Sequence, residues 1–306
     1  MEYVIGVDIG GTKIASIVAD SVGNIVHRCE LPSIKENPEE MFQQVVRCIQ
    51  KLIFSADVSM QEVTSMGVGV PGKVDREKGL AIFQNNLPWR NFPIIKRLKE
   101  QFPSVKNITI DNDVYMAAYA EWEAADLPGN ATFVYVTVST GISCSIIHNG
   151  NFLRGNGFAG ELGLLPMPGI DQSQTSTTLE NIASGPGILQ LARDIYNDPD
   201  MEIETLFLKY QKNEKQAVKV INQMLESLAG GIYTIACLIN PHQIVCGGGV
   251  INHQPYIVDL LNKLVDNYMI LVQEKANSLI KVSKLKEDAG VIGASRNAFK
   301  NVSVLK

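Results

Sequence analysis

The N-terminal region alternates short apolar runs with clusters of turn residues. Apolar, β-branched runs cover residues 3–9, 14–19 and 25–31, and residues rich in Gly, Thr, Ser and Asn separate them at 10–12 and 21–24. Apolar runs of this length between turn residues predict β-strands. We therefore expect a meander of three strands at the start of the chain.

Helix signals follow the meander. Asn37, Pro38 and Glu39 supply an N-cap, a proline for the first helical position and an acidic residue for the first turn. Apolar residues then recur at helical spacing from Met41 to Leu52. These signals predict a helix that crosses over from the meander.

Strand and helix signals alternate along the rest of the chain. Strands are predicted at 63–70 and 107–110, and the opening pattern returns with strands at 132–138 and 142–147 around a turn at 139–141. The alternation predicts an α/β fold, and the repeated turn between two strands predicts two related halves. The remaining predicted elements are a helix at 216–238, a strand at 244–246, a helix from 256, a strand at 279–282 and a helix at 291–299.

Composition excludes several functional classes. The chain of 306 residues is 45% hydrophobic, enough for a large core, and at roughly 150 residues per domain it predicts two domains. The net charge is −5 with scattered basic residues, whereas a protein that binds nucleic acid through phosphates would be more basic. The five cysteines form no CxxC pair and no secretion signal begins the chain, so we expect a cytoplasmic protein without disulfides.

One long segment requires a test for membrane insertion. Residues 227–258 contain no Asp, Glu, Lys or Arg. Asn240, Pro241 and the glycines at 247–249 interrupt this segment before any apolar run approaches roughly 18 residues. We expect a buried helix, a turn, a buried strand and a glycine loop, and no membrane contact.

The first turn carries candidate chemistry. Asp8 ends a predicted strand, and Gly10, Gly11 and Thr12 follow it. Glycines let backbone N–H groups approach an anionic oxygen, and Thr12 adds a hydroxyl donor. Asp8 is a candidate ligand of a hydrated Mg²⁺. A Gly-Gly turn between strands is also common for conformational reasons, so the turn alone does not decide its function.

Two further turns have a similar composition. Residues 139–141 (Ser-Thr-Gly) stand where a duplicated half would place a second phosphate-binding turn. Residues 247–249 (Gly-Gly-Gly) follow a strand, where their amides would face a ligand or their small size would permit a close helix–strand crossing. Three such turns after apolar strands favour nucleotide binding over coincidence.

A polar triplet marks the junction of a strand and a helix. Asp111, Asn112 and Asp113 are typical of a helix cap, and taken alone the triplet is best explained as one. As chemistry, Asn112 presents a donor and an acceptor to a polyol. Asp113 is placed to take a hydroxyl proton as that oxygen attacks phosphorus.

Nine segments in order carry a resemblance to a known family. They are 8–13 (Asp-Ile-Gly-Gly-Thr-Lys), 69–72 (Gly-Val-Pro-Gly), 86–89 (Asn-Leu-Pro-Trp), 111–114 (Asp-Asn-Asp-Val), 139–142 (Ser-Thr-Gly-Ile), 160–163 (Gly-Glu-Leu-Gly), 179–180 (Leu-Glu), 246–250 (Cys-Gly-Gly-Gly-Val) and 290–294. Almost end to end, the chain resembles the ROK family, the cytoplasmic sugar kinases of the actin-like ATPase superfamily that also include repressors.

The resemblance implies a fold and an activity. The fold is the α/β, two-lobed, actin-like ATPase (ribonuclease H-like) fold with the active site in the cleft between lobes, here 1–118 plus 290–306 and 119–289. The activity is that of an ATP- and Mg²⁺-dependent carbohydrate kinase, ordinarily acting on O6 of a hexose. A homodimer is implied as well.

The resemblance also assigns site residues. Asp113 resembles the general base, and Asp8 resembles the residue nearest the metal. The sugar ligands it implies are Asn86, Asn112, Asp113, Glu161 and Glu180. The cofactor ligands it implies are Asp8, Gly10, Gly11, Thr12, Lys13, Thr140, Gly141, Gly248 and Gly249, with the last two at the edge of the adenosine pocket.

One departure from the family pattern concerns zinc and the sugar. Many members bind a structural zinc through a His after the Gly-Glu motif and three Cys, but here the His position is Leu164 and residues 167–178 contain no Cys. We expect no zinc site. That His would contact the sugar near its anomeric end, and Leu164 cannot. We therefore expect a β-glucoside such as cellobiose, with N-acetylmannosamine or glucose as alternatives.

A second departure concerns the nucleotide. Ser139, Ser143 and Ser145 stand where the second loop of the family is usually richer in glycine. Hydroxyls still donate to phosphate, so the expected consequence is an altered nucleotide affinity.

Two other functions compete with the kinase. Repressors of this family carry an additional N-terminal helix-turn-helix module. Because the first predicted strand here begins at Tyr3, we expect no such module. The other is a sugar-binding regulatory protein without catalysis. The presence of Asp113 and of both threonine turns argues against it.

Overall fold

The computed structural model describes residues 2–84, 86–168, 176–270 and 279–303, with side chains through residue 299. The chain divides into two compact units, Met1–Ala124 with Asp288–Lys306, and Ala125–Glu287. A helix runs from residue 113 to residue 125, and the first division falls at the end of that helix.

The elements follow the predicted order, and most extend beyond the predicted ends by a few residues. Those up to residue 125 are β1 (Tyr3–Ile9), β2 (Lys13–Asp20), β3 (Ile25–Pro32), α1 (Pro38–Ala56), β4 (Val63–Val70), β5 (Lys73–Asp75), β6 (Leu80–Phe83), β7 (Arg90–Phe92), α2 (Ile94–Gln101), β8 (Asn107–Asn112) and α3 (Asp113–Ala125). Those from residue 132 are β9 (Thr132–Val138), β10 (Ile142–His148), β11 (Asn151–Phe152), β12 (Pro166–Pro168), β13 (Ser176–Thr178), α4 (Leu179–Ala183), α5 (Gly185–Tyr196), α6 (Ile203–Gln211), α7 (Lys215–Ile239), β14 (Gln243–Gly247), α8 (Gly249–His253), α9 (Tyr256–Asp266), β15 (Ile280–Val282) and α10 (Ala289–Ser303).

The main sheets of the two units share one topology. Their strand orders are β3-β2-β1-β4-β8 and β11-β10-β9-β14-β15. In each sheet the first three strands in sequence pair antiparallel, and the two later strands run parallel to the first. The internal repeat predicted from the two turns is confirmed. Because parallel strands end at the same edge of a sheet, the residues that follow them come together there.

Local sequence fixes the ends of α1. The side-chain oxygen of Asn37 accepts hydrogen bonds from the N–H groups of Glu39 and Glu40 at 2.8 and 3.2 Å, and Pro38 occupies the first turn, as predicted. The helix stops at Asp57, which adopts the left-handed conformation. Its buried apolar face packs on β2 and β3.

Two small sheets are absent from the sequence prediction. β5, β6 and β7 form a three-stranded antiparallel sheet, and β12 pairs with β13. These strands have three or four residues each. A segment that short carries too few positions for an alternating pattern, so its pairing partner defines it.

The second unit packs its helices around α7. This helix of 25 residues contacts α4, α5, α6 and α9, and buries a long apolar stripe. Its C-terminal half begins the charge-free segment 227–258, which turns at Asn240 in the left-handed conformation. No helix in the described ranges is long and apolar enough to cross a membrane.

Helix α10 belongs to the first unit and touches its sheet backbone to backbone. A Cβ at Gly67 in β4 would lie 1.9 Å from a carbonyl oxygen of α10, and a Cβ at Gly6 in β1 would lie 2.3 Å from another. On its other side, a Cβ at Gly293 would lie 1.8 Å from the carbonyl oxygen of Met116 in α3. Glycine at these positions is what allows α10 to lie between the sheet and α3.

We expect Gly67→Ala to lower the free energy of unfolding by about 3 kcal/mol or more, because a methyl group cannot fit without moving the strand or the helix. Urea denaturation followed by circular dichroism measures the change. Gly230→Ala in α7 is the matched control, since a Cβ there meets no atom within 4 Å and is expected to stabilise by up to about 1 kcal/mol. Equal effects of the two variants would contradict the packing argument.

Candidate active site

The turn between β1 and β2 presents backbone donors. Neither Gly10 nor Gly11 has a positive φ, so the turn does not use glycine for a left-handed conformation. Ser33 holds the turn through two hydrogen bonds. Its hydroxyl donates to the carbonyl oxygen of Gly10 at 2.6 Å, and its backbone N–H donates to the carbonyl oxygen of Thr12 at 3.0 Å. Within the described residues, the N–H groups of Gly11 and Thr12 have no acceptor. Two amides are therefore free to bind an anion.

Asn86 lies against this turn. A Cβ at Gly11 would fall 2.7 Å from the Cβ of Asn86, so a side chain at position 11 would displace it. Asn86 is exposed, and its amide forms no hydrogen bond with the part of the chain that is described. Lys13, by contrast, forms an ion pair with Glu30 at 2.7 Å.

Two carboxylates stand at the edge where β1, β4 and β8 end. A Cβ at Gly69 would lie 3.4 Å from Oδ1 of Asp8 and 3.6 Å from Cα of Asp113, so both residues flank one glycine. Burial and the nearby charge of Asp113 raise the pKa of Asp8 to about 7, against the effect of Lys13. Burial raises the pKa of Asp113 to about 6, against two backbone hydrogen bonds. Gly290 makes room for Asp8, because a Cβ there would lie 2.4 Å from Oδ2.

Asn112 caps α3. Its Oδ1 accepts hydrogen bonds from the N–H groups of Val114 and Tyr115 at 2.9 and 3.4 Å, and its Nδ2 donates to the carbonyl oxygen of Gly72 at 2.9 Å. The cap interpretation of the triplet is confirmed for this residue. One N–H of the amide is left for the predicted contact with a sugar. The cap also fixes the helix start that carries Asp113.

In the second unit, Glu180 lies at the base of the turn 139–141. Its Oε2 accepts a hydrogen bond from the N–H of Ile142 at 2.8 Å, and a Cβ at Gly141 would lie 2.6 Å from the same oxygen. Glycine at position 141 therefore leaves space for a carboxylate. Oε1 forms no hydrogen bond with the residues that are described and is available to a ligand.

Glu161 and Leu164 lie at the two ends of a short 3-10 turn, where the N–H of Leu164 donates to the carbonyl oxygen of Glu161 at 3.1 Å. Desolvation and the charge of Glu180 raise the pKa of Glu161, which places the two carboxylates within electrostatic reach. Leu164 is 59% exposed, an apolar surface beside a candidate sugar ligand.

A cavity of about 780 Å³ opens beside the second turn. Thr140 and Glu180 line it, together with Asn181 of α4 and Ser184, the N-cap of α5. The hydroxyl of Ser184 caps this helix by accepting a hydrogen bond from the N–H of Gly187 at 3.2 Å. Sequence analysis did not single out Asn181 and Ser184, because nothing in the local sequence distinguishes them from ordinary residues at the start of a helix.

In the third glycine turn, at 247–249, Gly248 and Gly249 are the two predicted ligands. Packing explains the glycine at one of them. Gly248 has φ +86°, and a Cβ there would lie 2.5 Å from Oγ1 of Thr137 and 2.6 Å from the carbonyl oxygen of Val138. The close helix–strand crossing is thus confirmed at Gly248. A Cβ at Gly249 would meet only Oγ of Ser139, at 3.6 Å, so packing does not require glycine there.

The three serines of the second loop have different surroundings. Ser145 is fully buried, and the hydroxyl of Ser143 donates to the carbonyl oxygen of Gly160 at 3.2 Å. The expectation that their hydroxyls would donate to phosphate is wrong for these two residues, which lie within β10. Ser139, in the turn itself, remains a candidate.

The donor set at Asp8 fits a hydrated divalent cation. Burial raises the pKa values of Asp8 and Asp113, so a cation at this edge would stabilise their charged forms, and Mg²⁺ takes only one or two protein carboxylates. Across the described ranges, no group of three His, Cys, Asp or Glu side chains is arranged to hold a metal. The segment for which no zinc was expected falls partly outside those ranges, at 169–175.

Comparison with known proteins assigns the family. A sequence profile of the ROK family matches residues 4–300. The chain belongs to the ROK family. This ROK member is 30% identical to the N-acetyl-D-glucosamine kinase of Haemophilus influenzae, over 95% of the chain and 97% of the relative. It is 28% identical to the glucokinase of Halalkalibacterium halodurans, over 95% and 93% respectively.

Solved structures of ROK proteins have the same fold. The ROK hexokinase of Thermus thermophilus matches with a TM-score of 0.81 at 27% identity, over 99% of both chains. The ROK glucokinase of Streptomyces griseus, solved with glucose and AMPPNP, matches with a TM-score of 0.80 at 23% identity, over 97% of this chain and 99% of that one. The expected α/β fold of the actin-like ATPases is confirmed.

The raised pKa of Asp113 predicts a pH-dependent effect on stability. The folded state binds this proton more tightly than the unfolded chain, so the stabilisation is complete below about pH 4 and is lost as the pH rises through about 6. We expect Asp113→Asn to raise the free energy of unfolding by about 2 kcal/mol at pH 8 and by little at pH 4. Guanidinium unfolding at pH 4, 6 and 8 measures the difference.

Asp20→Asn is the control with the opposite sign. Hydrogen bonds from the side chain and backbone of Asn24 lower the pKa of Asp20, so its stabilisation is present at neutral pH and is lost in acid. This variant is expected to lose stability at pH 8, with a loss that fades below pH 4. A gain for Asp113→Asn of the same size at every pH would contradict the raised pKa.

Proposed function

We propose that this ROK family member transfers the γ-phosphoryl group of ATP to a hydroxyl of a sugar, with Asp113 as the general base. The reaction class follows from relatives that include glucokinases, N-acetyl-D-glucosamine kinases and, at 30% identity, the N-acetylmannosamine kinase of Escherichia coli. The chain is accordingly a carbohydrate kinase. The observation that supports the assignment of the base is the pair of carboxylates beside a turn with two free amides.

Asp113 has the properties that a base needs at neutral pH. A carboxylate with a pKa of about 6 is ionised at pH 7 and binds a proton more tightly than an exposed one. As the sugar oxygen attacks phosphorus, its proton passes to a carboxylate oxygen of Asp113. The cap formed by Asn112 and the N-terminus of α3 hold that carboxylate in place.

The first turn is proposed to bind phosphate oxygens. The N–H groups of Gly11 and Thr12 donate to them, and the hydroxyl of Thr12 adds a third donor. Asp8 would hold Mg²⁺ through water, and when bound the ion neutralises charge on the transferred phosphoryl group. Lys13 is less suited to this role, because Glu30 already pairs with it.

The second unit is proposed to supply the other ligands. Thr140 and the amide of Gly141 bind phosphate, and Gly249 with Ser139 borders the nucleoside. The sugar hydroxyls are bound by Asn86, Asn112, Glu161 and the free Oε1 of Glu180. Charge repulsion between Glu161 and Glu180 is relieved when hydroxyl donors from a sugar come between them.

The acceptor is proposed to be O6 of a β-glucoside such as cellobiose. Leu164 is exposed next to Glu161 and offers no hydrogen bond to a free anomeric hydroxyl, so at this position a glycosidic substituent would leave no polar group unpaired. The alternatives are glucose and N-acetylmannosamine, which the names of the relatives favour.

We expect Asp113→Asn to lower kcat by 10²- to 10⁴-fold while sugar affinity changes little, because the amide keeps the shape of the side chain and cannot take the proton. The measurement of kcat is the release of ADP from Mg·ATP with a panel of glucose, N-acetylmannosamine, allose, fructose and cellobiose.

In the parent protein kcat/KM is expected to fall below about pH 6, as Asp113 is protonated. A variant that turns over as fast as the parent would refute the role of Asp113. If no sugar is turned over but sugars still bind, the protein is a sugar-binding regulator.

We expect Leu164→His to shift the ratio of kcat/KM for glucose to that for cellobiose at least tenfold toward glucose, because an imidazole can bond a free anomeric hydroxyl. Leu208→His is the control, since Leu208 is 57% exposed on α6 of the same unit and belongs to no proposed ligand set. An unchanged ratio in Leu164→His, or a parent that phosphorylates glucose and not cellobiose, would rule out the glycoside proposal.

A further inference from the structure

Arg90 of β7 binds both ends of the segment that carries Asn86. Its Nη1 donates to the carbonyl oxygens of Gln84 and Trp89, each at 2.8 Å. The guanidinium lies over the ring of Phe83, 4.2 Å from its centroid. The two hydrogens of Nη1 therefore bind the main-chain oxygens of Gln84 and Trp89, which flank the segment. The ring of Phe83 in β6 stacks on the guanidinium and supports it.

Arg90 differs in this respect from the other arginine that stacks nearby. Arg97 of α2 makes two hydrogen bonds with the carboxylate of Glu39 in α1, at 2.5 and 2.7 Å, and lies 4.2 Å over the ring of Phe42. Arg90 forms no ion pair with a described residue. Its hydrogen-bonding capacity is directed to main-chain oxygens around Asn86, where it orders a chain segment.

Buried neighbours fix the two ends that Arg90 joins. Trp89 is fully buried, donates through Nε1 to the carbonyl oxygen of Pro38 at 3.0 Å, and stacks on Phe92 at 4.8 Å. Gln84 is fully buried, and its Nε2 donates to the carbonyl oxygen of Lys73 at 3.2 Å. Between these anchors, the exposed Asn86 forms no hydrogen bond with the residues that the structure describes.

Gln84 also connects this segment to the helix of Asp113. A Cβ at Gly72, which has φ +72°, would lie 2.3 Å from the carbonyl oxygen of Phe83 and 3.2 Å from Cα of Gln84. The carbonyl oxygen of Gly72 accepts the hydrogen bond from Asn112. Residues 72–73 thus lie between Gln84 and the cap of α3, and the same small sheet supports Asn86 and the cap beside Asp113.

The side chain of Gln84 makes the folded protein less stable than an apolar side chain of the same size would. Its Oε1 is buried and accepts no hydrogen bond from the described residues. An unsatisfied buried oxygen typically costs about 1–3 kcal/mol, so an apolar residue of the same size would remove this cost. The bond from Nε2 to Lys73 gives the glutamine a role that an apolar residue could not fill.

We propose that Arg90 is a positioning residue of the sugar site, which holds Asn86 against Gly11 by binding the carbonyl oxygens of Gln84 and Trp89. The inference rests on the proposed function, in which Asn86 is a sugar ligand. Arg90 itself does not touch the substrate. A displacement of about 1 Å in a binding group is enough to change rates by up to about 10²-fold. Loss of the hydrogen bonds from Arg90 therefore has a measurable effect if it lets Asn86 move by that much.

The test compares variants of Arg90 with the matched variant of Arg97. Arg90→Met keeps an unbranched side chain over Phe83 and removes every donor, Arg90→Lys restores a donor, and Arg97→Met removes a stacked arginine from the same unit. For the sugar that the parent phosphorylates, we expect Arg90→Met to raise KM at least tenfold with less than a threefold change in KM for ATP. Arg90→Lys should recover part of the loss. Arg97→Met should lower the melting temperature and leave both KM values within twofold.

Gln84→Met tests a second support of the segment, the side-chain bond to Lys73, and leaves in place the main-chain oxygen that Arg90 binds. It keeps the volume, removes the bond to Lys73 and removes the unsatisfied oxygen, so the protein is expected to be no less stable while its KM for the sugar rises. If Arg90→Met folds with the parental KM for the sugar, or if Arg97→Met raises KM as much as Arg90→Met, the positioning role of Arg90 is refuted. A parental KM in Gln84→Met refutes the contribution of the Gln84 side chain alone.

Amide hydrogen exchange separates this inference from the proposed function. Peptides that cover residues 84–90 are expected to exchange faster in Arg90→Met than in the parent, and at the parental rate in Arg97→Met. This readout does not depend on turnover. A parent that phosphorylates no sugar would refute the proposed function, and the exchange result would then decide whether Arg90 holds the segment. Unchanged exchange in Arg90→Met refutes the clamp whatever the activity.

Discussion

The contact between the backbone of α10 and the strands β1 and β4 is the constraint on which the first unit depends. Gly6 and Gly67 allow the helix to reach the sheet without intervening side chains, and Gly290 places its first turn beside Asp8. The three parallel strands β1, β4 and β8 end at the same edge. Asp8, the residues after β4 and the Asn112–Asp113 cap therefore meet there, and burial at this edge raises the pKa of both carboxylates.

The second unit repeats this plan with different side chains. β9, β14 and β15 are also parallel, and the turns at 139–141 and 247–249 follow two of them at one edge. The edge carries hydroxyls, glycine amides and Glu180 in place of a pair of aspartates. With the same topology, the first unit thus carries carboxylates suited to proton transfer. The second unit carries hydroxyls, amides and a glutamate suited to ligand binding.

Several features of the site reduce stability. Two carboxylates are held where their charged forms are poorly solvated, Gln84 keeps an unsatisfied buried oxygen, and Glu161 is near the like charge of Glu180. In the proposed function, a bound cation and the hydroxyls of a sugar would relieve the costs at the carboxylates, because they bring positive charge and hydrogen-bond donors. The large buried cores around α1 and α7 allow the protein to tolerate these costs.

The sequence alone determined most strands of the two main sheets, the long helices, the Asn37 cap and the turns that follow β1 and β9, because periodicity and turn chemistry are local properties. It also identified Asp8, Asn86 and Asp113 as candidates through their order in a family pattern. Only the tertiary structure decided the small sheet of β5, β6 and β7, the hydrogen bonds of Ser33 and Arg90, the packing role of Gly248 and the contact of Glu180 with Ile142. The contacts join residues that are distant in sequence, and the strands of the small sheet are too short to form a hydrophobic pattern. Their geometry exists only after the sheets have assembled and water has been excluded.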